Sequence, residues 1–281
     1  MTASNSATRA AEITADAAAQ ILDALTEIVS RAAAATLAVP FSEVDRRIKS
    51  DHSPVSHADE ASEAEILQGL AGLLPDVPVV SEESVGPDPI QLGPSVVFVD
   101  PLDGTKEFLA GRDEYTVNIG IVTHGIPIAG VIAAPKQGLL WRGIVGRGAE
   151  RLRMQWGPSP VIDERSPIHT RPAPEHLVAA ISRSHLDERT EGFLAGLPVA
   201  ERYMCGSSVK FCHVAQGDAD VYPRLAPTHE WDIAAGCAIL AAAGGAATDP
   251  QGNPLHFGEQ PSKFLVPGFI AWGDPAMVRR S

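Results

Sequence analysis

Cysteine is scarce in this chain: Cys205, Cys212 and Cys237 are an odd number, with no C-x-x-C pair among them. That speaks against a disulfide framework and predicts reduced thiols in a cytoplasmic protein. Long apolar runs are missing as well. Without about 18 consecutive apolar residues, no segment is expected to span a membrane. The N-terminus has no basic stretch leading into a hydrophobic core, and Glu12 and Asp16 interrupt its alanines, so no secretory signal is expected. Positive charge is short too: 22 Lys and Arg stand against 35 Asp and Glu, a net charge of −13. General nucleic-acid binding needs a basic face and is excluded on that ground. A small anionic substrate is not, because bound cations invert the local field of clustered acids. There is no internal repeat and no low-complexity segment beyond the alanine bias at the start. What is present, 44% hydrophobic and 20% charged residues over 281 positions, suits a globular protein with a large core, as one bilobal unit or two domains.

Periodicity predicts a long helix over residues 9–38 and a second from about His57 to Leu74, with Ile66, Leu67, Leu70, Leu73 and Leu74 as its apolar stripe. Short apolar runs at 77–80, 96–99, 115–122, 128–133 and 139–145 read as strands, and His124-Gly125 as a hairpin turn. Residues 156–175 are rich in proline and read as a connection between an N-terminal α+β lobe, 1–160, and a C-terminal α/β lobe, 161–281. Strands at 177–181, 199–203 and 219–222 alternate with helices at 186–194 and 209–216, and a helix from Trp231 to Ala243 stops at Gly244-Gly245. The expected fold is α/β.

The chemistry concentrates in Val99-Asp100-Pro101-Leu102-Asp103-Gly104-Thr105-Lys106-Glu107-Phe108. Here a strand ends in two carboxylates, a tight turn, a hydroxyl and an amine. Such a turn offers oxygens to a hard divalent cation and free backbone N–H groups to a phosphate. Further acids stand in telling contexts: Glu82 at the end of another strand, Asp232 at the start of an alanine-rich helix, and Asp51 in a polar loop closed by Pro54. Two carboxylates about 4 Å apart repel by roughly 4 kcal/mol at an effective dielectric of 20, so a converging set must take up protons or metal ions. Oxygen ligands with no nearby histidine or cysteine favour magnesium or manganese over zinc. Each acid alone has a plainer reading; Asp232, for one, suits a helix cap. The agreement of spacing, turn residues and flanking strand sets the Asp100–Thr105 run apart.

A second constellation is Gly206-Ser207-Ser208-Val209-Lys210-Phe211, followed by Tyr222-Pro223-Arg224. A glycine–serine turn entering a helix presents backbone N–H groups to an anion, and Lys210 and Arg224 add charge. An ordinary helix cap with two surface cations would leave the same trace. Among the histidines only His185, after Ser182-Arg183-Ser184, is placed near a ligand.

Taken with Asp51-His-Ser-Pro-Val-Ser-His-Ala-Asp59, Ser81-Glu-Glu, Thr116-Val-Asn-Ile119, Trp231-Asp-Ile-Ala-Ala-Gly236 and Asn253-Pro-Leu255, these motifs resemble the lithium-sensitive, magnesium-dependent phosphatases of the inositol monophosphatase superfamily. Within it they are most similar to the CysQ-type 3'(2'),5'-bisphosphate nucleotidases. The resemblance runs from Lys49 to Gly268; the alanine-rich first helix is less matched. It implies a layered αβαβα sugar-phosphatase-like fold of two lobes with the metals in the cleft. It implies Glu82, Asp100, the Leu102 carbonyl, Asp103 and Asp232 as ligands of two or three Mg²⁺ ions, with Mn²⁺ as a substitute. Asp51 and Thr105 would activate the water, and the Gly104 and Thr105 N–H groups would hold the scissile phosphate. His185, Ser207, Lys210 and Arg224 would grip the nucleotide. The reaction implied is hydrolysis of the 3'-phosphate of adenosine 3',5'-bisphosphate, and of 3'-phosphoadenylyl sulfate, in sulfate assimilation and nucleotide recycling. Inositol monophosphatase or fructose 1,6-bisphosphatase activity on the same machinery is the rival, and a silent metal or nucleotide sensor a more distant one. The partner expected is a small phosphorylated nucleotide, with no nucleic acid and no transmembrane segment. Monomer and homodimer both stay open, as does peripheral association with the inner membrane.

Overall fold

A computed structural model describes residues 11–39, 47–48, 54–86, 88–183, 186–259 and 263–278. Helix α1 (Ala15–Ala38) starts where the Thr14 hydroxyl accepts the Ala17 N–H at 3.2 Å. Helix α2 (His57–Leu73) opens on a capping box between Ser56 and Asp59. The two helices pack on one face of a seven-stranded sheet. Its strands follow in chain order: β3 (Val79–Ser81), β4 (Ser95–Asp103), β5 (Thr116–Thr123), β6 (Ile126–Ala134), β7 (Leu139–Ile144), β8 (Gly148–Gln155) and β9 (Val161–Ile168). Only β3 is parallel to its neighbour; the rest form an antiparallel meander. Two short ribbons complete the strand set, β1 (Arg47–Ile48) with β2 (Pro54–Val55) and β13 (Thr228–His229) with β15 (Leu265–Val266).

Strand pleating sorts the two sides of the sheet. Val97, Val99, Val117, Ile119 and Val131 meet Leu25, Val29, Ile66 and Leu70 of the helical layer. Phe98, Val122 and Ile132 face the other way, onto α5 (Val209–Ala215) and α6 (Glu230–Ala242). Beyond these helices lies a five-stranded sheet in the order β11 (Val199–Cys205), β10 (Leu177–Ser182), β12 (Val221–Arg224), β16 (Phe269–Trp272), β14 (Ala246–Thr248). Its inner face supplies Ala180, Tyr222 and Phe269 to the shared core, and its outer face is covered by Phe193 and Leu194 of α4 (Glu188–Ala195). The layers therefore run αβαβα.

Helix α6 lies unusually close to the first sheet. A Cβ built on Gly120 would come within 2.6 Å of the Ala235 nitrogen, and Gly130, its cross-strand partner, sits closer still to Ala235. Glycine at these positions lets the helix backbone touch the strands.

Two readings of the sequence need correction. The proline-rich stretch taken as a connection carries β9, seven residue pairs of which bond to β8, so a boundary at 160 cuts the first sheet rather than separating two. The signal was hidden because β9 is an exposed edge strand with charges on both faces and Val161 and Ile162 at 52% and 40% exposure. The long first helix begins at Ala15 rather than residue 9, because Thr14 caps it.

Candidate active site

Strand β4 is buried on both faces through Leu102, and around Pro101 its ladder with β5 shifts register between Asp100 and Asp103. Proline has no N–H to donate, so such an irregularity is where a strand tolerates it. The break turns the chain so that the Leu102 N–H donates to Asp100 Oδ1 at 3.0 Å. Gly104 follows at φ +95°, a left-handed conformation that favours glycine, and leads into the short helix α3 (Thr105–Leu109). Helix α2 pins the turn, because Ser62 Oγ donates to the Pro101 carbonyl at 2.7 Å.

Glu82, just past β3, is brought against β4 when its N–H donates to the Val99 carbonyl at 3.1 Å. Asp232 arrives from the other half as the third residue of α6, where its Oδ2 accepts the His229 N–H at 3.0 Å and the Thr228 hydroxyl. Carboxylate oxygens of Glu82, Asp100 and Asp232 lie within 4.8 Å of one another. Asp100 is 1% exposed, and burial, then the charges of Glu82, Asp103, Asp232 and Asp59, push it well above the ordinary carboxylate range. Burial and the Asp232 charge push Asp103 up to about 7, against the pull of Lys210, Arg224 and the Ser208 N–H. Carboxylates that converge this closely around the buried Asp100 cannot all stay ionised without a cation. The donor set is oxygen throughout, so the residues present fit a hard divalent ion.

The carboxylate bonded to Thr105 is Asp59: the Thr105 hydroxyl donates to its Oδ1 at 3.1 Å and lies 3.3 Å from the Leu102 carbonyl. The other oxygen of Asp59 accepts the Ser56 N–H at 2.9 Å and the Ser56 hydroxyl at 2.7 Å. Burial raises the Asp59 pKa, and these hydrogen bonds oppose the rise. Sequence reasoning left Asp59 inside a motif without a role and named Asp51 for this task; Asp51 lies outside the described residues. The missed signal was the Ser56-x-x-Asp59 capping box, which fixes a carboxylate at a helix start and aims its free oxygen outward.

Across the cleft, the turn at Gly206–Ser208 leads into α5. Lys210 is 2% exposed; its Nζ donates to the Cys205 carbonyl at 3.4 Å and to the Ser207 carbonyl, and lies 5.1 Å from the Tyr222 ring centroid. Arg224 gives Nη2 to the Pro227 carbonyl at 3.2 Å, while its buried Nε has no hydrogen-bond partner. Ser207, Lys210 and Arg224 line the same cavity of about 180 Å³ as Glu82, Asp103 and Asp232, with Gly104 and Thr105 on its wall. His185 lies outside the described residues. Tyr222 and Ser182 also line the cavity; the sequence motifs contained both but gave neither a role. One cavity thus joins a metal-fitting acid cluster to two cations, Lys210 buried and Arg224 half-buried.

Comparison with known proteins agrees with this geometry. Residues 10–271 match the inositol monophosphatase family. The chain is 44% identical over 222 residues to the 3'(2'),5'-bisphosphate nucleotidase CysQ of Escherichia coli K12, covering 79% of this chain and 86% of that one. It is 36% identical over 225 residues to the protein of the same name from Buchnera aphidicola, covering 79% and 82%. Among solved structures, CysQ from Bacteroides thetaiotaomicron superposes with a TM-score of 0.71 at 32% identity, over 90% of this chain and 97% of that one. An IMPase from Thermotoga maritima shares the fold at a TM-score of 0.73 and 21% identity, over 91% and 93%. Sequence motifs, layer order and acid cluster lead to one assignment: the chain belongs to the inositol monophosphatase family.

Proposed function

We propose that the protein is a magnesium-dependent phosphatase that hydrolyses the 3'-phosphate of adenosine 3',5'-bisphosphate, giving AMP and inorganic phosphate. The observation that carries this reading is the pairing, in one cavity, of the acid cluster with Lys210 and Arg224. A substrate with one phosphate would use the cluster alone; a second phosphate gives the two cations a partner. The likeness to relatives named as bisphosphate nucleotidases supports the same substrate class.

Glu82, Asp100, Asp103, Asp232 and the Leu102 carbonyl would hold the ions. When bound, these supply Lewis acidity toward the phosphate and a lowered pKa for the attacking water. The N–H groups of Gly104 and Thr105 orient the scissile phosphate. The Thr105 hydroxyl gives its proton to Asp59, leaving its lone pairs to receive a water O–H, so the Thr105–Asp59 pair relays the proton away. The water oxygen bonds to phosphorus as the bond to the ribose 3'-oxygen breaks; that oxygen takes a proton from solvent water and leaves as the AMP hydroxyl, while Asp59 returns the attacking water's proton to solvent. Ser207, Lys210 and Arg224 hold the phosphate that stays behind. The same reading extends to 3'-phosphoadenylyl sulfate, sensitivity to lithium, and a cytoplasmic place in sulfate assimilation and nucleotide recycling. Among the described residues, no helix is long and apolar enough to cross a membrane.

The test is phosphate release with magnesium from adenosine 3',5'-bisphosphate, inositol 1-phosphate and fructose 1,6-bisphosphate, each with and without lithium. A marked preference for the nucleotide is expected. Preference for inositol phosphate would keep the metal chemistry and overturn the substrate.

A further inference from the structure

The Thr116-Val-Asn-Ile119 motif has a pattern that the reaction above does not use. Along β5 and the residue pair before it, Val117 and Ile119 face the α1–α2 layer, while the alternate positions 114, 116 and 118 face the other half of the molecule. All three end on one turn, Gly206–Ser208. Glu114 Oε2 accepts the Gly206 N–H at 3.0 Å. Thr116 Oγ1 lies 2.7 Å from Ser208 Oγ, and Ser208 Oγ donates to Asn118 Oδ1 at 2.7 Å. A hydroxyl has one proton to give, so with that of Ser208 committed to Asn118, Thr116 is the donor in its own bond. Thr116, Asn118 and Ser208 are 0%, 1% and 3% exposed, so each of these bonds is costly to lose.

Glu114 also holds Arg183 in a two-point pair, Nε to Oε2 at 3.2 Å and Nη2 to Oε1 at 2.8 Å. Arg183 in turn donates to the Met204 carbonyl at 2.9 Å, on the strand that feeds the turn. The turn needs this support. Ser207 sits at φ +48°, a conformation non-glycine residues adopt at a cost. Gly206 is pressed so close that a Cβ there would lie 2.6 Å from Glu107 Cγ and 2.9 Å from the Glu114 carbonyl oxygen.

The same strand face carries the metal side of the site. In the β4–β5 register, Asp103 stands opposite Thr116 and Asp100 opposite Asn118. Asp103 and the Gly206–Ser208 turn also line one cavity. Two rows of side chains, one of metal-fitting acids and one of turn-holding groups, therefore share one strand pair.

We propose that Glu114, Thr116 and Asn118 are positioning residues that fix the Gly206–Ser208 turn, and with it Ser207 and Lys210, at a set distance from the metal carboxylates. Selectivity for a substrate with a second phosphate then depends on side chains that touch no substrate. This rests on the proposed nucleotidase reading.

The test compares adenosine 3',5'-bisphosphate with adenosine 3'-monophosphate, which lacks the second phosphate, using the full chain in magnesium. In Glu114→Gln and Thr116→Val the ratio of kcat/KM values, bisphosphate over monophosphate, is expected to fall about tenfold, through KM rather than kcat. Thr116→Ser, which keeps the hydroxyl, should restore most of it. Arg183→Lys, on the solvent side of the pair, loses the planar fork; it should shift the ratio the same way and carries the test if Thr116→Val does not fold. Parallel loss on both substrates, or a ratio within about twofold of the parent in Glu114→Gln and Arg183→Lys, overturns the inference alone. A parent protein with no preference for the bisphosphate overturns the nucleotidase reading and this inference with it.

Discussion

Thr105 carries more of the proposed chemistry than any neighbour of its size. Its hydroxyl donates to Asp59 at 3.1 Å, with the Leu102 carbonyl at 3.3 Å as its other acceptor among the described residues. Thr105→Val should lower kcat by about 10²-fold, the usual scale of a lost proton relay, with a smaller change in KM; Thr105→Ser should recover most of it. A kcat within twofold of the parent in the valine variant would sink the relay. Asp103 poses a different question. Burial and the Asp232 charge hold it at about 7 without a cation, so on the proposed reading its charge is useful only when a metal neutralises the cluster. Asp103→Asn is expected to cut phosphate release by about 10²-fold or more at saturating substrate, and to raise the magnesium concentration needed for half-maximal rate. Near-normal turnover in ordinary magnesium would remove Asp103 from the metal set. At this scale the sequence was informative wherever a local pattern dictated the chemistry. The Asp100–Thr105 turn could be read because spacing, proline and glycine acted together. Asp59 could not, because its partner lies 46 positions away and only tertiary packing of α2 against β4 brings them together.

Among the elements, α6 decides whether the two halves of the acid cluster meet. It delivers Asp232 from its first turn, and it lies flush on β5 and β6 only because glycines face it. Gly120→Ala would place a Cβ within 2.6 Å of the Ala235 nitrogen. Overpacking of this kind costs about 1–3 kcal/mol, and a shifted α6 would carry Asp232 away from Glu82 and Asp100. Urea unfolding should show a lower midpoint with an unchanged slope, and phosphate release should fall with it. An unchanged midpoint would mean that α6 does not need the contact. The helices and the central strands of the first sheet were legible from their periodicity, since burial on one or both faces writes a strong pattern. Strands β14, β15 and β16 were not anticipated, and β9 was mistaken for a linker. These strands are two to eight residues long, and β9 leaves its side chains in solvent, so hydrophobic alternation had nothing to record. The alternation of Glu114, Thr116 and Asn118 was visible, but its meaning depended on which helix lay opposite.

For the whole molecule, the proposed metal assignment implies that the acid cluster couples metal binding to stability. Glu82, Asp100 and Asp103 come from the first sheet and Asp232 from the helix layer between the sheets, so their repulsion acts across the shared core. Asp103 and Glu230 are both raised to about 7 by burial, well above their unfolded values. Between about pH 4 and 7 the folded state therefore binds more protons than the unfolded chain. From these groups, stability is full below about pH 4 and is lost as pH rises through 7. On the proposed reading, magnesium would take the place of the protons at Asp103 but not at Glu230, which lies apart and accepts the Gly258 N–H at 2.8 Å. Thermal melting in EDTA should accordingly show Tm falling from pH 5 to pH 8. Saturating magnesium should recover part of the loss at pH 8 and little at pH 5; a ligand at 100 times its Kd adds about 2.7 kcal/mol. In Asp103→Asn the magnesium-dependent part should shrink while the Glu230 part stays. A magnesium effect of equal size at pH 5 and pH 8 in the parent would show that the ions do not compete with protons at this cluster, and that the acids meet in the fold without being the metal's ligands.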